Sequence, residues 1–130
     1  MQVELVSPEA IVYTGVATMV LARTPEGEIA FQPGHIPFVG TLSGKGAVKL
    51  WLADGTVMLV AVHSGFVQVA NDTVTILSDV AELRGAIDVP RAEAARDRAL
   101  ADLAADAHDE EARARLERAE LRLLVAGAAP

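Results

Sequence analysis

Short apolar runs separated by turn residues fill the chain as far as residue 86. Residues 1–6 stop at Ser7-Pro8, residues 16–22 at Thr24-Pro25-Glu26-Gly27, and residues 28–31 at Pro33-Gly34. Residues 47–52 and 56–63 flank Ala53-Asp54-Gly55, and residues 66–70 and 73–77 flank Asn71-Asp72. Asp-Gly and Asn-Asp between apolar runs read as hairpin turns, because these residues tolerate the positive φ that a tight reversal of twisted strands requires. Many short strands at this spacing predict an antiparallel β-sandwich, or flattened barrel. Residues 56–62 are apolar on both faces, the pattern of a strand inside a sheet.

The period changes after residue 86. Ala92, Ala95, Ala99 and Leu103 recur at helical spacing, as do Ala112, Leu116, Ala119 and Leu123. Asp88 is placed to cap the first helix, with Pro90 in the first turn where its missing N–H costs nothing. The polar cluster Asp106-Ala107-His108-Asp109 separates the two stripes, and Gly127 stands where a C-terminal cap belongs. The expectation is a sandwich over residues 1–86 followed by an antiparallel two-helix hairpin over residues 87–130. The hairpin seam is rich in alanine, and a buried methyl is worth about 0.8 kcal/mol against about 1.5–3 for Leu or Val. Such a seam holds helices close but weakly.

Composition sharpens this division. Residues 1–86 hold 14 valines with 4 basic and 8 acidic side chains; residues 87–130 hold 14 alanines with 7 basic and 10 acidic ones. The net charge of −7 lacks the basic footprint of a nucleic-acid binder. The chain has no cysteine, which removes disulfides, thiol nucleophiles and Cys-based metal sites together. No run reaches the roughly 18–20 apolar residues of a spanning helix. Residues 1–7 contain Glu4 and no basic run, so no signal peptide is expected. A soluble, intracellular globular protein is the expectation.

Few catalytic patterns survive inspection. Gly40-Thr41-Leu42-Ser43-Gly44-Lys45-Gly46 resembles a phosphate loop, but Val39 stands at the first glycine position and Gly46 where Ser or Thr would bind magnesium; it reads as a loop between strands. His63-Ser64-Gly65 follows Val62, so no nucleophile elbow forms. His35, His63 and His108 match no zinc spacing, and no metal site is expected. Asp97, Asp102, Asp106, Asp109, Glu110 and Glu111 read as a solvated helix face. No catalytic residue is assigned.

Four phrases occur in a telling order: Gln32-Pro33-Gly34-His35-Ile36-Pro37, His63-Ser64-Gly65-Phe66, Val74-Thr75-Ile76-Leu77 and Ile87-Asp88-Val89-Pro90-Arg91-Ala92. Val3-Glu4-Leu5-Val6-Ser7-Pro8-Glu9 and Tyr13-Thr14-Gly15 precede them. Together they resemble the epsilon subunits of F-type proton-translocating ATP synthases from end to end. The resemblance implies a non-catalytic rotor subunit at the cytoplasmic face of the cell membrane. Its sandwich would contact the gamma subunit and the c ring, coupling proton flow to ATP synthesis. Its hairpin would fold on the sandwich, or extend toward the alpha and beta subunits and block hydrolysis.

The resemblance also implies site residues. ATP, as a regulatory ligand and not a required cofactor, would be held by Glu82, Ile87, Asp88, Arg91, Ala92, Arg98, Arg118 and Arg122. Asp88 is expected either to cap the helix or to accept from the adenine or ribose. The c ring would be met by Phe31, Gln32, Pro33, Gly34, His35, Ile36, Pro37 and Phe38. Gln32 departs from the branched aliphatic residue usual in the family, Ser64 from a common glycine, and Pro90 removes an N–H that could face a phosphate. A stand-alone ATP-sensing or adaptor module with a ligand-gated helical lid is the alternative.

Overall fold

The structure, a computed structural model, describes residues 1–43 and 47–127. Among them, nine strands precede two helices: β1 (Gln2–Val6), β2 (Ile11–Thr24), β3 (Gly27–Phe31), β4 (Phe38–Leu42), β5 (Val48–Leu52), β6 (Val57–Val62), β7 (Gly65–Ala70), β8 (Thr73–Leu77), β9 (Ala81–Leu83), α1 (Val89–Ala105) and α2 (Glu110–Ala126). A single turn of 3-10 helix, Arg84–Ala86, joins β9 to the helices.

β2 is long enough to belong to both layers. Its first half pairs with β1, and its second half with β3 and β5. One layer runs β4-β7-β8-β1-β2; the other continues from β2 through β5 and β6 to β9, with β3 beside β2. The neighbours are antiparallel except β1 and β8, which run parallel from Gln2↔Thr73 to Val6↔Leu77. Alternate residues of each strand point inward, so Val3, Leu5, Val67, Val74 and Ile76 of one layer meet Val20, Phe31, Leu50 and Val60 of the other in one buried cluster.

Several sequence-level expectations need correction. Phe38–Leu42 form a strand, although residues 40–42 belong to the phosphate-loop-like segment that reads as a loop. Gly44, Lys45 and Gly46 of that segment lie outside the described residues. β2 extends five residues before and two beyond the expected run of 16–22. Asn71 and Asp72 do turn the β7–β8 hairpin, at φ +52° and +58°.

α1 and α2 form the hairpin, each capped by an aspartate: Asp88 accepts from the Arg91 N–H and Asp109 from the Ala112 N–H. Gly127 closes α2 in the left-handed conformation, and its N–H reaches the carbonyls of Leu123 and Leu124. Ala92, Ala99, Ala112 and Ala119 are buried along the helices. The hairpin meets the sandwich through α2. Leu121 and Val125 bury against Ala61, on the outer face of β6, with Leu59, Ala47 and Ile87 around them. Hence β6 is apolar on both faces: Val60 and Val62 serve the sandwich core, while Ala61 lies under α2.

Candidate functional site

A groove of about 570 Å³ runs between the two helices, lined by Ala95, Arg98, Ala101 and Asp102 of α1 and Glu111, Arg115, Arg118 and Arg122 of α2. Its geometry follows from helix periodicity. Residues 95, 98, 101 and 102 share one face of α1; residues 111, 115, 118 and 122 share one face of α2. Alanines keep the floor low, and four guanidinium groups stand over it.

Two of those guanidiniums are compensated. Arg115 donates to Asp102 Oδ2 at 2.7 Å across the helices, which raises the Arg115 pKa further. Arg122 Nε donates to Glu82 Oε1 at 2.7 Å, bridging the hairpin to β9. Glu82 is held below the ordinary carboxylate value: burial pushes its pKa up, but hydrogen bonds from Arg122 and His63 outweigh that. Arg98 and Arg118 have no carboxylate at ion-pair distance among the described residues. The groove therefore presents uncompensated positive charge to an anion, in donor groups suited to phosphate oxygens.

The structure assembles half of the nucleotide set expected from the sequence. Arg98, Arg118 and Arg122 converge, and Glu82 joins them through Arg122. Arg91 does not line the groove, because seven residues along a helix preserve the face but advance about 10 Å. Asp88 caps α1, Ile87 packs beside Leu121 and Val125, and Ala92 is buried; none of the three lines the groove. Arg115 was missed, although its spacing of three from Arg118 and seven from Arg122 places it on the same face.

The second expected site, residues 31–38, sits at one end of the sandwich. The Gly34 N–H donates to Asp72 Oδ1 at 3.1 Å, tying the segment to the β7–β8 turn. The His35 N–H donates to the Gln32 carbonyl at 3.0 Å, and its ring stands edge-on to Phe31 with centroids 5.0 Å apart. Gln32, Pro33, Gly34, Ile36 and Pro37 are exposed, with Ile36 at 75%. Phe31 is fully buried and is a core residue, not a contact residue. Phe38 is half-buried against the same core.

The family model of the ATP synthase Delta/Epsilon chain beta-sandwich domain matches residues 1–84. The chain belongs to the epsilon chains of ATP synthase. An epsilon chain of Thermobifida fusca is 44% identical over 128 residues, covering 97% of this chain and 91% of the relative. One from Brevibacillus brevis is 48% identical over 99 residues, covering 76% and 74% respectively. A chain in a Euglena gracilis mitochondrial ATP synthase structure, described as OSCP/F1/c-ring in rotational state 1, shares the fold with a TM-score of 0.73. It is 22% identical, and the match covers 95% of this chain and 76% of that one. Epsilon chains are subunits of an enzyme complex. None of the helices described here is long and apolar enough to cross a membrane.

Proposed function

We propose that this epsilon chain is a non-catalytic part of the rotor of a proton-translocating ATP synthase, peripheral to the cytoplasmic face of the cell membrane. The sandwich binds the gamma subunit and, through Gln32, Pro33, Gly34, Ile36 and Pro37, the c ring. The hairpin is the regulatory element: docked on β6 it leaves the alpha and beta subunits alone, and extended it reaches them and restrains hydrolysis.

The observation that carries this reading is the unequal attachment of the two halves. The sandwich closes on a large core of its own. The hairpin is fastened to it by two large side chains, Leu121 and Val125, and by the Glu82–Arg122 ion pair. Burying two such side chains is worth about 3–6 kcal/mol before the ordering of the hairpin is subtracted. That balance suits an element that comes and goes.

ATP in the interhelical groove stabilises the docked form, its phosphates held by Arg98, Arg118 and Arg122. A ligand that grips both helices favours the arrangement in which they are together. Pull-down from detergent-solubilised membranes tests the assignment: alpha, beta and gamma subunits are expected to copurify. Their absence, with ATP binding retained by the isolated chain, would favour a stand-alone nucleotide sensor.

A further inference from the structure

Three elements meet at one carboxylate oxygen. Glu82 Oε1 on β9 accepts from His63 Nε2 at 2.9 Å, just past the end of β6, and from Arg122 Nε at 2.7 Å on α2. The His63 side chain is only 6% exposed. Because an ionised carboxylate can only accept, Nε2 must be the donor. Neutral His63 then carries a bare lone pair on Nδ1, which is buried without a partner among the described residues.

Protonation changes that balance. A new N–H at Nδ1 would find no acceptor in place, and the ring would become a buried cation. The charged groups that bear on it are Glu82 from β9, which favours the cation, and Arg122 and Arg118 from α2, which oppose it. Burial, with the two arginines, outweighs Glu82 and holds the His63 pKa below its ordinary 6.5.

The opposing charges belong to the mobile half. When α2 leaves β6, Arg118 and Arg122 leave with it. Glu82 stays beside His63, because β9 remains paired to β6 with Ala61 opposite Glu82. A proton on His63 is therefore better accommodated with the hairpin off than with it on. We propose that the His63–Glu82–Arg122 junction is a proton-sensitive latch, which holds the hairpin on the sandwich while His63 is neutral and releases it when His63 is protonated.

The direction follows from linkage. Docking is at full strength above the undocked pKa of His63 and weakens as pH falls through the docked one, which lies below 6.5. Glu82, held below the ordinary carboxylate value, stays ionised in that range, so the first proton at the junction belongs to His63. Each pH unit between the docked and undocked midpoints changes the docking constant about tenfold. The latch rests on the detachable hairpin of the proposed function, but needs neither nucleotide nor partner subunits.

The test uses the full chain, which has no cysteine of its own. Lys49→Cys and Glu120→Cys, both exposed positions, take a fluorophore pair that reports the distance from sandwich to hairpin. Between about pH 7.5 and about pH 5, energy transfer should fall in this chain and stay constant once His63→Gln is added, since Gln still donates to Glu82 without titrating. Constant transfer in the parent, or an equal fall with His63→Gln, would overturn the latch. Leu121→Ala with Val125→Ala supplies the undocked reference. If that variant undocks while the parent ignores pH, the latch alone fails; if it does not undock, the mobile hairpin fails too. Should His63→Gln not fold, the imidazole titration of the unsubstituted chain by NMR decides. Loss of the docked α2 amide signals in step with His63 protonation is expected, and docked signals that persist once His63 is protonated overturn the proposal.

Discussion

Gly65 stands at φ +152°, and a Cβ built there would collide with the backbone carbonyl oxygen of Leu77. Gly65→Ala should therefore cost about 1–3 kcal/mol from the backbone conformation, with the collision in addition. Urea denaturation of the full chain measures it, and a change below about 0.5 kcal/mol would mean that the β7–β8 edge adjusts freely. Arg122→Gln is a milder change. A charge-assisted hydrogen bond is worth about 1.5–3 kcal/mol when buried, but both partners here are about a quarter exposed, which reduces the expected loss to about 1 kcal/mol. A double-mutant cycle with Glu82→Gln isolates the coupling. The same substitution should weaken ATP binding by roughly tenfold or more, read by titration calorimetry. At this scale three of the groove's four arginines, Arg98, Arg118 and Arg122, were anticipated from the resemblance, whereas Asp102 and Glu111 were read as a solvated face and line the groove instead. Arg91 was anticipated too but does not line it: its periodicity says which face it occupies but not how far along the axis the ligand reaches. Phe31 was misread because it adjoins Pro33-Gly34, and only the closed sandwich shows its ring turned inward.

Among the elements, α2 does two jobs, lining the groove on one side and meeting the sandwich on the other. Leu121→Ala removes the larger part of its grip on Ala61 and should destabilise docking by about 2–5 kcal/mol while leaving the sandwich folded. Hydrogen exchange tests this: protection should drop across residues 89–126 and persist in β1, β5 and β8. Protection lost everywhere would mean that hairpin and sandwich form one cooperative unit. The exposed segment before β4 gives a paired prediction. Ile36→Asp should leave the stability of the isolated chain unchanged yet weaken assembly, whereas Phe38→Asp should lower stability itself, because Phe38 packs on the core. Strands bounded by clear turns were legible, as were the caps at Asp88 and Gly127; Asp109, read only as part of the polar break, also proves to be a cap. β4 was not legible, because Pro33, Pro37 and Gly40 carry loop signals into a segment that nonetheless pairs with β7 from Phe38↔Val69 to Leu42↔Gly65. β9 is three residues long, too short for a period, and exists because β6 offers it an edge.

The whole molecule is two unequal halves that meet across the outer face of β6. The large apolar side chains of the sandwich close on each other across its layers, so a chain ending at Gly85 should fold, with dispersed methyl resonances in proton NMR. Unfolding of that fragment would mean that the hairpin is structurally required. The parallel pairing of β1 with β8 could not be read from sequence, since neither turn chemistry nor periodicity specifies which distant strand a first strand joins. The two apolar faces of β6 read from sequence as a strand inside a sheet; which element covers its outer face was not legible, and that cover is α2. Under the proposed function this cover is removable, and its removal regulates the enzyme. The most direct measurement is ATP hydrolysis by the assembled complex carrying the unsubstituted chain, the Leu121→Ala/Val125→Ala variant, or the chain ending at Gly85. The undocked variant should inhibit hydrolysis more strongly than the unsubstituted chain, and the shortened chain should not inhibit. Equal rates from all three complexes would contradict it.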